Sequence, residues 1–174
     1  WRRIPLSMAA LILGNSKIGK NTMVLQSCII GHPISSELDN SDLTKIKTAG
    51  AVIGGNCTIR SGTVIYSAAE LGGNVVTGHN VLVRENTKIG DNCLIGTNSI
   101  VEKDCTIGSN TRLQSGVYVP NNTVIGKNVF IGPYTVLTND KTMGRTKSVE
   151  GPVIGDGVSI GANCTILPGI KIGN

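Results

Sequence analysis

A period of six residues governs the aliphatic positions of this chain between residues 53 and 137. Counting by sixes from Ile53 to Leu137 gives fifteen positions, and fourteen of them are Ile, Leu or Val. The exception is Thr77, which is therefore predicted to be the weak position of the ladder. Amphipathic helices need apolar residues at spacings of three and four, and this pattern does not supply them. A fixed short period indicates a repeat architecture built from strands.

Two further registers accompany the aliphatic ladder. The residue four positions after each of the first fourteen ladder residues is always small or β-branched. The residue three positions after is Asn, Asp or Gly in twelve of fourteen repeats, and these types adopt positive φ most readily. The twelve are Asn56, Gly62, Asn74, Asn80, Asn86, Asn92, Asn98, Asp104, Asn110, Gly116, Asn122 and Asn128. Short strands joined by tight corners explain all three registers, and burying each aliphatic side chain stabilises the fold by about 1.5–3 kcal/mol.

The same step continues outside the central array. It is kept by Ile12, Ile18, Val24 and Ile30, and again by Ile154, Ile160, Ile166 and Ile172. The basic and apolar stretch 1–13 is similar to a signal peptide, but the step at Ile12 assigns it to a first coil. No apolar run is long enough to span a membrane. We therefore predict one repeat domain over residues 1–174.

Two segments, at about residues 31–52 and 138–153, interrupt the step. Each follows the third strand of a coil, which ends near Ile30 or Leu137, so both are predicted to leave one edge of the array. Loops gathered on one side of a repeat scaffold usually mark the binding side. Tolerated surface insertions are the alternative. The array stops at Asn174 with no visible terminal cap and the first residue is not Met, so we expect the sequence to be a fragment of a longer product.

Composition narrows the function classes. The net charge of +5 comes from scattered basic residues, which favours small anionic ligands over nucleic acid, although a merely soluble surface fits equally well. All five cysteines occupy the small-residue register, so they are predicted to be buried, free and neither metal ligands nor nucleophiles. They are Cys28, Cys57, Cys93, Cys105 and Cys164. Free thiols favour a reducing cytoplasm, and two histidines are too few for a three-histidine zinc site.

The hexapeptide pattern resembles that of the hexapeptide-repeat acyltransferases. The resemblance implies an all-β, left-handed parallel β-helix of about seven coils, with three hexapeptides per turn. A closer resemblance, over about residues 79–174, is to acetyltransferases that modify an amino group of a nucleotide-linked sugar. It is carried by Gly78-His79-Asn80-Val81, Leu113-Gln114-Ser115, the run 132–139 (GPYTVLTN) and the run 161–166 (GANCTI). This branch implies an acetyl-CoA-dependent N-acetyltransferase that works as a homotrimer with sites between subunits. The thiols, the short apolar runs and the scattered charge add the expectation of a cytoplasmic protein with no membrane or nucleic-acid partner.

The resemblance also assigns site residues. It implies that Asn139 lies at the reacting amine, where an amide can orient the amine or stabilise the developing oxyanion. A plain Asn ladder one coil beyond Asn121 is the alternative. The charged loop residues and two further side chains are predicted to bind substrate, namely Asp140, Lys141, Arg145, Gln114 and Arg84. For the charged loop residues the alternative is a solvated loop. For Arg84 the alternative is a structural pairing with Glu102. Coenzyme A is expected near Gly155, Gly161, Ala162 and Lys171.

His79 is the one histidine inside the array. Other coils place Ser61, Thr97, Ser115 or Pro133 at its position, and such departures from a regular pattern are often functional. A general base is the role that suits it. It lies about three coils from Asn139, roughly 14 Å at the usual strand spacing. We therefore expect the two residues to meet only across a subunit boundary, or to serve different parts of the ligand.

Two other functions remain open. A sugar O-acetyltransferase of the same fold usually carries His-Pro in the loop where this chain has Thr138-Asn139-Asp140, and its hydroxyl substrate needs that base. The one His-Pro pair here, His32-Pro33, is in the first loop. A non-catalytic β-helix acting as an assembly subunit predicts a trimer or partner complex without coenzyme A binding.

Overall fold

The computed structural model describes residues 9–38 and 48–173. Most of the signal-like stretch, the middle of the first loop and Asn174 therefore lie outside the described residues.

Three parallel sheets contain the strands. Sheet 1 holds β1 (Leu11–Ile12), β4 (Ile29–His32), β7 (Val64–Tyr66), β10 (Leu82–Val83), β13 (Ile100–Val101), β16 (Tyr118–Val119), β19 (Val136–Leu137) and β22 (Thr165–Ile166). Sheet 2 holds β2 (Lys17–Ile18), β5 (Val52–Ile53), β8 (Glu70–Leu71), β11 (Lys88–Ile89), β14 (Thr106–Ile107), β17 (Val124–Ile125), β20 (Val153–Ile154) and β23 (Lys171–Ile172). Sheet 3 holds β3 (Met23–Val24), β6 (Thr58–Ile59), β9 (Val76–Thr77), β12 (Leu94–Ile95), β15 (Arg112–Leu113), β18 (Phe130–Ile131) and β21 (Ser159–Ile160).

Each strand pairs with the strand three positions later in the chain. Ile89 lies beside Ile107, and Ile95 beside Leu113, so one coil takes eighteen residues. The array makes seven full coils and two further strands. A single 3-10 turn, Ser35–Glu37, is the only helical element among the described residues, and it is far too short to cross a membrane. The predicted left-handed parallel β-helix is confirmed.

The core consists of the two predicted inward registers. All fifteen ladder positions are at most 3% exposed, and all fourteen small-residue positions are buried as well. Most hydroxyl and thiol groups in the small register donate to a carbonyl fifteen residues ahead, as Thr87 does to Glu102 at 2.8 Å and Cys93 to Gly108 at 3.2 Å. Even Thr77 is satisfied, because its hydroxyl accepts from the Arg60 amide at 2.9 Å. Polar residues thus enter this core without leaving an unpaired buried group.

The corners adopt the conformation that the third register predicts. All twelve Asn, Asp and Gly residues of that register have φ between 55° and 76°. The two remaining members, Ala68 and Tyr134, follow with φ of 58° and 56°. Side-chain amides reinforce the stack, since Asn74 donates to Asn92 at 3.1 Å. The repeat therefore imposes its corner geometry even where the residue type does not favour it.

Both long loops leave the same edge of the prism, as predicted. The first connects β4 to β5 and the second connects β19 to β20, so each joins sheet 1 to sheet 2. We call this corner the loop edge. The corner between sheets 3 and 1, which contains residue 79, is called the His79 edge. Sheet 1 lies between these two edges.

Candidate functional site

A polar cleft lies at the base of the second loop. Asn139 follows β19, and its backbone carbonyl accepts a 2.8 Å hydrogen bond from the Glu150 amide, which ties the two ends of the loop together. The cleft has a volume of about 170 Å³. It is lined by Asn139, Lys141, Thr142, Thr146, Ser148, Glu150 and Pro168. An amide, an ammonium, a carboxylate and several hydroxyls therefore face one small space.

Asp140 organises the loop around this cleft. Its Oδ1 accepts from the Thr142 amide at 2.7 Å and from the Thr142 hydroxyl at 2.9 Å, and its Oδ2 accepts from the Gly144 amide at 2.6 Å. These hydrogen bonds, led by the one from the Thr142 amide, lower the pKa of Asp140. The carboxylate is therefore used to fold the turn, and its predicted contact with substrate stays a prediction.

Three other predicted residues in this loop keep their functional groups available. Lys141 and Arg145 are exposed. The side-chain amide of Asn139 makes one long contact, 3.5 Å, to the carbonyl of Asn121 one coil below. Asn139 does not share the positive φ of the corner asparagines. It is therefore not one of the corner asparagines, but its contact with Asn121 keeps the plain Asn ladder open as the alternative to a role at the amine.

Arg84 lies on the loop edge but several coils away from the cleft. Its guanidinium forms a bidentate pair with Glu85, at 2.7 and 2.9 Å, and reaches Glu102 at 3.5 Å. It also lies over the Tyr66 ring, 4.7 Å from the centroid. The hydrogen bond to Glu85 raises the pKa of Arg84. These contacts supply the structural pairing expected with Glu102, and substrate binding by Arg84 stays a prediction.

His79 and Gln114 lie on the other side of sheet 1. Both follow sheet 3 strands, β9 and β15, and so occupy the His79 edge. His79 is exposed, and its backbone amide donates to the Thr97 hydroxyl at 3.2 Å. Within one chain the structure therefore does not bring His79 and Asn139 together.

The four residues predicted for coenzyme A lie at three places. Gly161 and Ala162 are exposed on the His79 edge, directly after β21. Gly155 follows β20, at the corner between sheets 2 and 3, and Lys171 points outward from β23. Only Gly161 and Ala162 share an edge with Gln114. A common cofactor site for all four stays a prediction.

Sequence reasoning missed several groups near the predicted site. Glu150 was not singled out because it lies in an aperiodic segment, where no register marks a residue. The first loop was also missed as a contact region. There the His32 ring stacks on Tyr66 with centroids 4.4 Å apart, and Glu37 accepts from the Ser67 hydroxyl at 2.8 Å. Only the break in the six-residue step pointed to these segments.

Two family models match the chain. The bacterial transferase hexapeptide model, with six repeats, matches residues 86–121 and 104–139. The hexapeptide repeat of succinyl-transferase matches residues 153–174. Together the matched residues span less than half of the chain, and they agree with the predicted class, the hexapeptide-repeat acyltransferases. No protein of curated function matches the chain significantly.

Several solved structures are similar to this chain. One is a UDP-N-acetylglucosamine O-acyltransferase from Moraxella catarrhalis, with 17% identity and a TM-score of 0.48 over 87% of this chain and 65% of that one. Another is a UDP-N-acetylglucosamine acyltransferase from Bacteroides fragilis, with 18% identity and a TM-score of 0.35 over 99% and 71%. A Bacillus cereus protein provisionally assigned as an acetyltransferase has 16% identity and a TM-score of 0.46 over 83% and 77%. The chain thus spans 65–77% of these proteins, and at such low identities and TM-scores none of the likenesses bears on substrate.

Proposed function

We propose that this chain is an acetyl-CoA-dependent N-acetyltransferase that acts on the amino group of a nucleotide-linked sugar, a precursor of a cell-surface polysaccharide. The observation that carries the proposal is the cleft at the base of the second loop. Its lining combines the Asn139 amide with cationic and anionic side chains. A substrate that has both an amine and a diphosphate matches this mixture better than an uncharged sugar does.

For N-acetyl transfer, the main contribution of the protein is to position the amine and the thioester. A neutral amine is already a competent nucleophile toward a thioester, so alignment of the two reactants supplies much of the rate. The Asn139 amide would orient the amine or donate to the oxyanion that forms on the acetyl carbonyl. Lys141 and Arg145 would bind the diphosphate. No histidine lines the cleft among the described residues, which favours an amine over a hydroxyl substrate.

Assembly as a homotrimer in the cytoplasm is part of the proposal. The outward row of sheet 1 is apolar along seven coils, whereas the outward row of sheet 2 contains Lys and Glu. The sheet 1 row is Leu11, Ile29, Val64, Leu82, Ile100, Tyr118 and Val136. Packing sheet 1 around a threefold axis would bury this row. It would also bring the loop edge of one copy beside the His79 edge of the next, so that His79 and Gln114 would serve other parts of the ligand across the boundary.

The test is release of coenzyme A thiol from acetyl-CoA with a panel of nucleotide-linked 3-amino and 4-amino sugars, free amino sugars and plain nucleotide sugars. Release only with nucleotide amino sugars is the expected result. Release with plain sugars would instead favour the O-acetyltransferase. Absence of both release and coenzyme A binding would favour the assembly subunit. Ile100→Asp, measured by light scattering, is expected to reduce the trimer to monomers.

A further inference from the structure

We propose that Glu150 binds the amino group of the substrate and accepts its proton during acyl transfer. This inference rests on the proposed function and adds a residue to it. Glu150 lines the same cleft as Asn139 and Lys141. Of the groups in the cleft, it is the one carboxylate, and a carboxylate is the natural partner for an ammonium group.

The backbone of Glu150 is fixed on both sides. Its amide donates to the Asn139 carbonyl at 2.8 Å, and its carbonyl accepts from the Gly169 amide at 3.0 Å. Asn139 and Glu150 are therefore held as neighbours, although eleven positions separate them in the chain. Because both side chains line the same cleft, the carboxylate shares this space with the amide that is predicted to contact the reacting amine.

Gly169 lies against the end of the Glu150 side chain. A Cβ atom at residue 169 would lie 2.5 Å from Oε2 and 2.8 Å from Cδ of Glu150, so a larger residue there would displace the carboxylate. Gly169 also has φ of +66°, a conformation that favours glycine. The carboxylate nevertheless receives no hydrogen bond or ion pair from any described residue. Asp140, the other acid of this loop, is by contrast occupied by three hydrogen bonds.

The proton and electron balance of the step is complete. The amine nitrogen attacks the thioester carbonyl, the N–C bond forms, and the C–S bond breaks. Coenzyme A leaves as a thiolate with the electron pair of that bond. Two protons leave the ammonium nitrogen: the first passes to the Glu150 carboxylate and on to solvent before the attack, and the second passes to the same carboxylate after the attack and then to the thiolate. Because Glu150 can deprotonate the bound ammonium, the enzyme does not depend on amine that is already neutral in solution.

The test compares Glu150→Gln with the wild type and with Glu70→Gln. Glu70 is a matched control, since it is an exposed glutamate on sheet 2 whose partner is Lys88 at 3.5 Å. We expect Glu150→Gln to lose about a hundredfold in kcat/KM near neutral pH, the usual scale for a general base. Its kcat/KM should then rise about tenfold per pH unit toward the pKa of the amine, while the wild-type profile stays flat. Gly169→Ala, which displaces the carboxylate but keeps its charge, should show an intermediate loss.

A binding measurement separates this inference from the proposed function. Titration calorimetry would compare a UDP-linked 4-amino sugar with its 4-hydroxyl counterpart, and we expect the wild type to prefer the amine at least tenfold and Glu150→Gln to show no preference. Suppose that the wild type acetylates the amino sugar, and that the kcat/KM of Glu150→Gln stays within twofold of that of Glu70→Gln with the same dependence on pH. This result would overturn the role of Glu150 but not the proposed function. An amine preference without turnover would overturn the reaction but support ammonium recognition. Equal affinities of the wild type for both sugars would overturn that recognition.

Discussion

The two loops leave the same edge of the prism, yet they use their acidic residues differently. In the described part of the first loop, the Glu37 carboxylate accepts from the amides of Ile34 and Ala49 and from the Ser67 hydroxyl. In the second loop, Asp140 folds the turn, while Glu150 and the exposed Lys141 remain available. Among the described residues, the Glu37 carboxylate of the first loop is used for anchoring, whereas the second loop keeps the Glu150 carboxylate and the Lys141 ammonium available for a ligand. The indication of function in an inserted loop is therefore the set of polar groups that are not used to fold or anchor the loop itself.

Replacing Asn139 should have the largest effect. We expect Asn139→Ala to lose roughly 10²–10³-fold in acetyl transfer, as is usual when an oxyanion donor is removed. The control is Asn121→Ala, one coil earlier on the same edge. Circular dichroism should show both variants folded. If Asn139→Ala and His79→Ala both kept acetyl transfer within threefold of the wild type, the assignment of both residues would be wrong.

Removing the second loop should separate binding from folding. Deletion of residues 140–147 takes away the Asp140 turn and three cations but no ladder residue. We expect at least a tenfold weaker affinity for the nucleotide sugar, about 1.4 kcal/mol, and an almost unchanged thermal midpoint. Calorimetry and thermal unfolding measure the two quantities. If the deletion instead unfolded the coil, the second loop would have a structural role, like the described part of the first loop.

Glu37→Gln should show the opposite behaviour in the first loop. Burial raises the pKa of Glu37, but the hydrogen bonds from Ala49, Ile34 and Ser67 outweigh it and lower the pKa below the usual value. Their loss should cost about 1–2 kcal/mol of stability at neutral pH. Because the folded-state pKa is depressed, this stability is present above the unfolded pKa of about 4.3 and is lost as the pH falls through the folded value.

The difference in unfolding free energy between wild type and Glu37→Gln should therefore shrink below about pH 4. Urea denaturation at several pH values measures it. A difference that stays constant down to pH 3 would contradict the role of the charged form.

Arg84→Lys should have the smallest effect. A lysine cannot reproduce the bidentate contact with Glu85 or the stacking on Tyr66, so we expect a loss of about 0.5–1 kcal/mol. Unfolding measurements test this, and the KM for the nucleotide sugar tests the predicted binding role. A several-fold increase in the KM of Arg84→Lys, with unchanged stability, would support the predicted role of Arg84 in substrate binding.

The sequence predicted the scaffold because every coil repeats the same three registers. Ile95, Cys93 and Asn98 each occupy a position that recurs throughout the array, and counting strands by threes placed both loops on one edge. The corner residue Tyr134 shows the strength of this constraint, since it adopts φ of 56° despite its bulky side chain.

The site was less predictable because it lies outside the repeat. Glu150 meets Asn139 through a loop whose course no register specifies. Stacking by eighteen residues predicted the contact between Arg84 and Glu102, but the shorter bond goes to the adjacent Glu85, at the turn itself. Local corner geometry decides such contacts, and a period does not encode it.

The free thiols have a practical consequence. Cys28, Cys57, Cys93 and Cys105 lie in different parts of the coil stack and are at most 2% exposed. Burial raises the pKa of the Cys105 thiol to about 11, and it raises the pKa of Cys28 and Cys93 as well. A thiol reagent can modify these residues only when the surrounding coil opens. The rate of labelling at each cysteine would therefore report how often the coil around it opens. Native cysteines would thus measure local opening along the stack without an added probe.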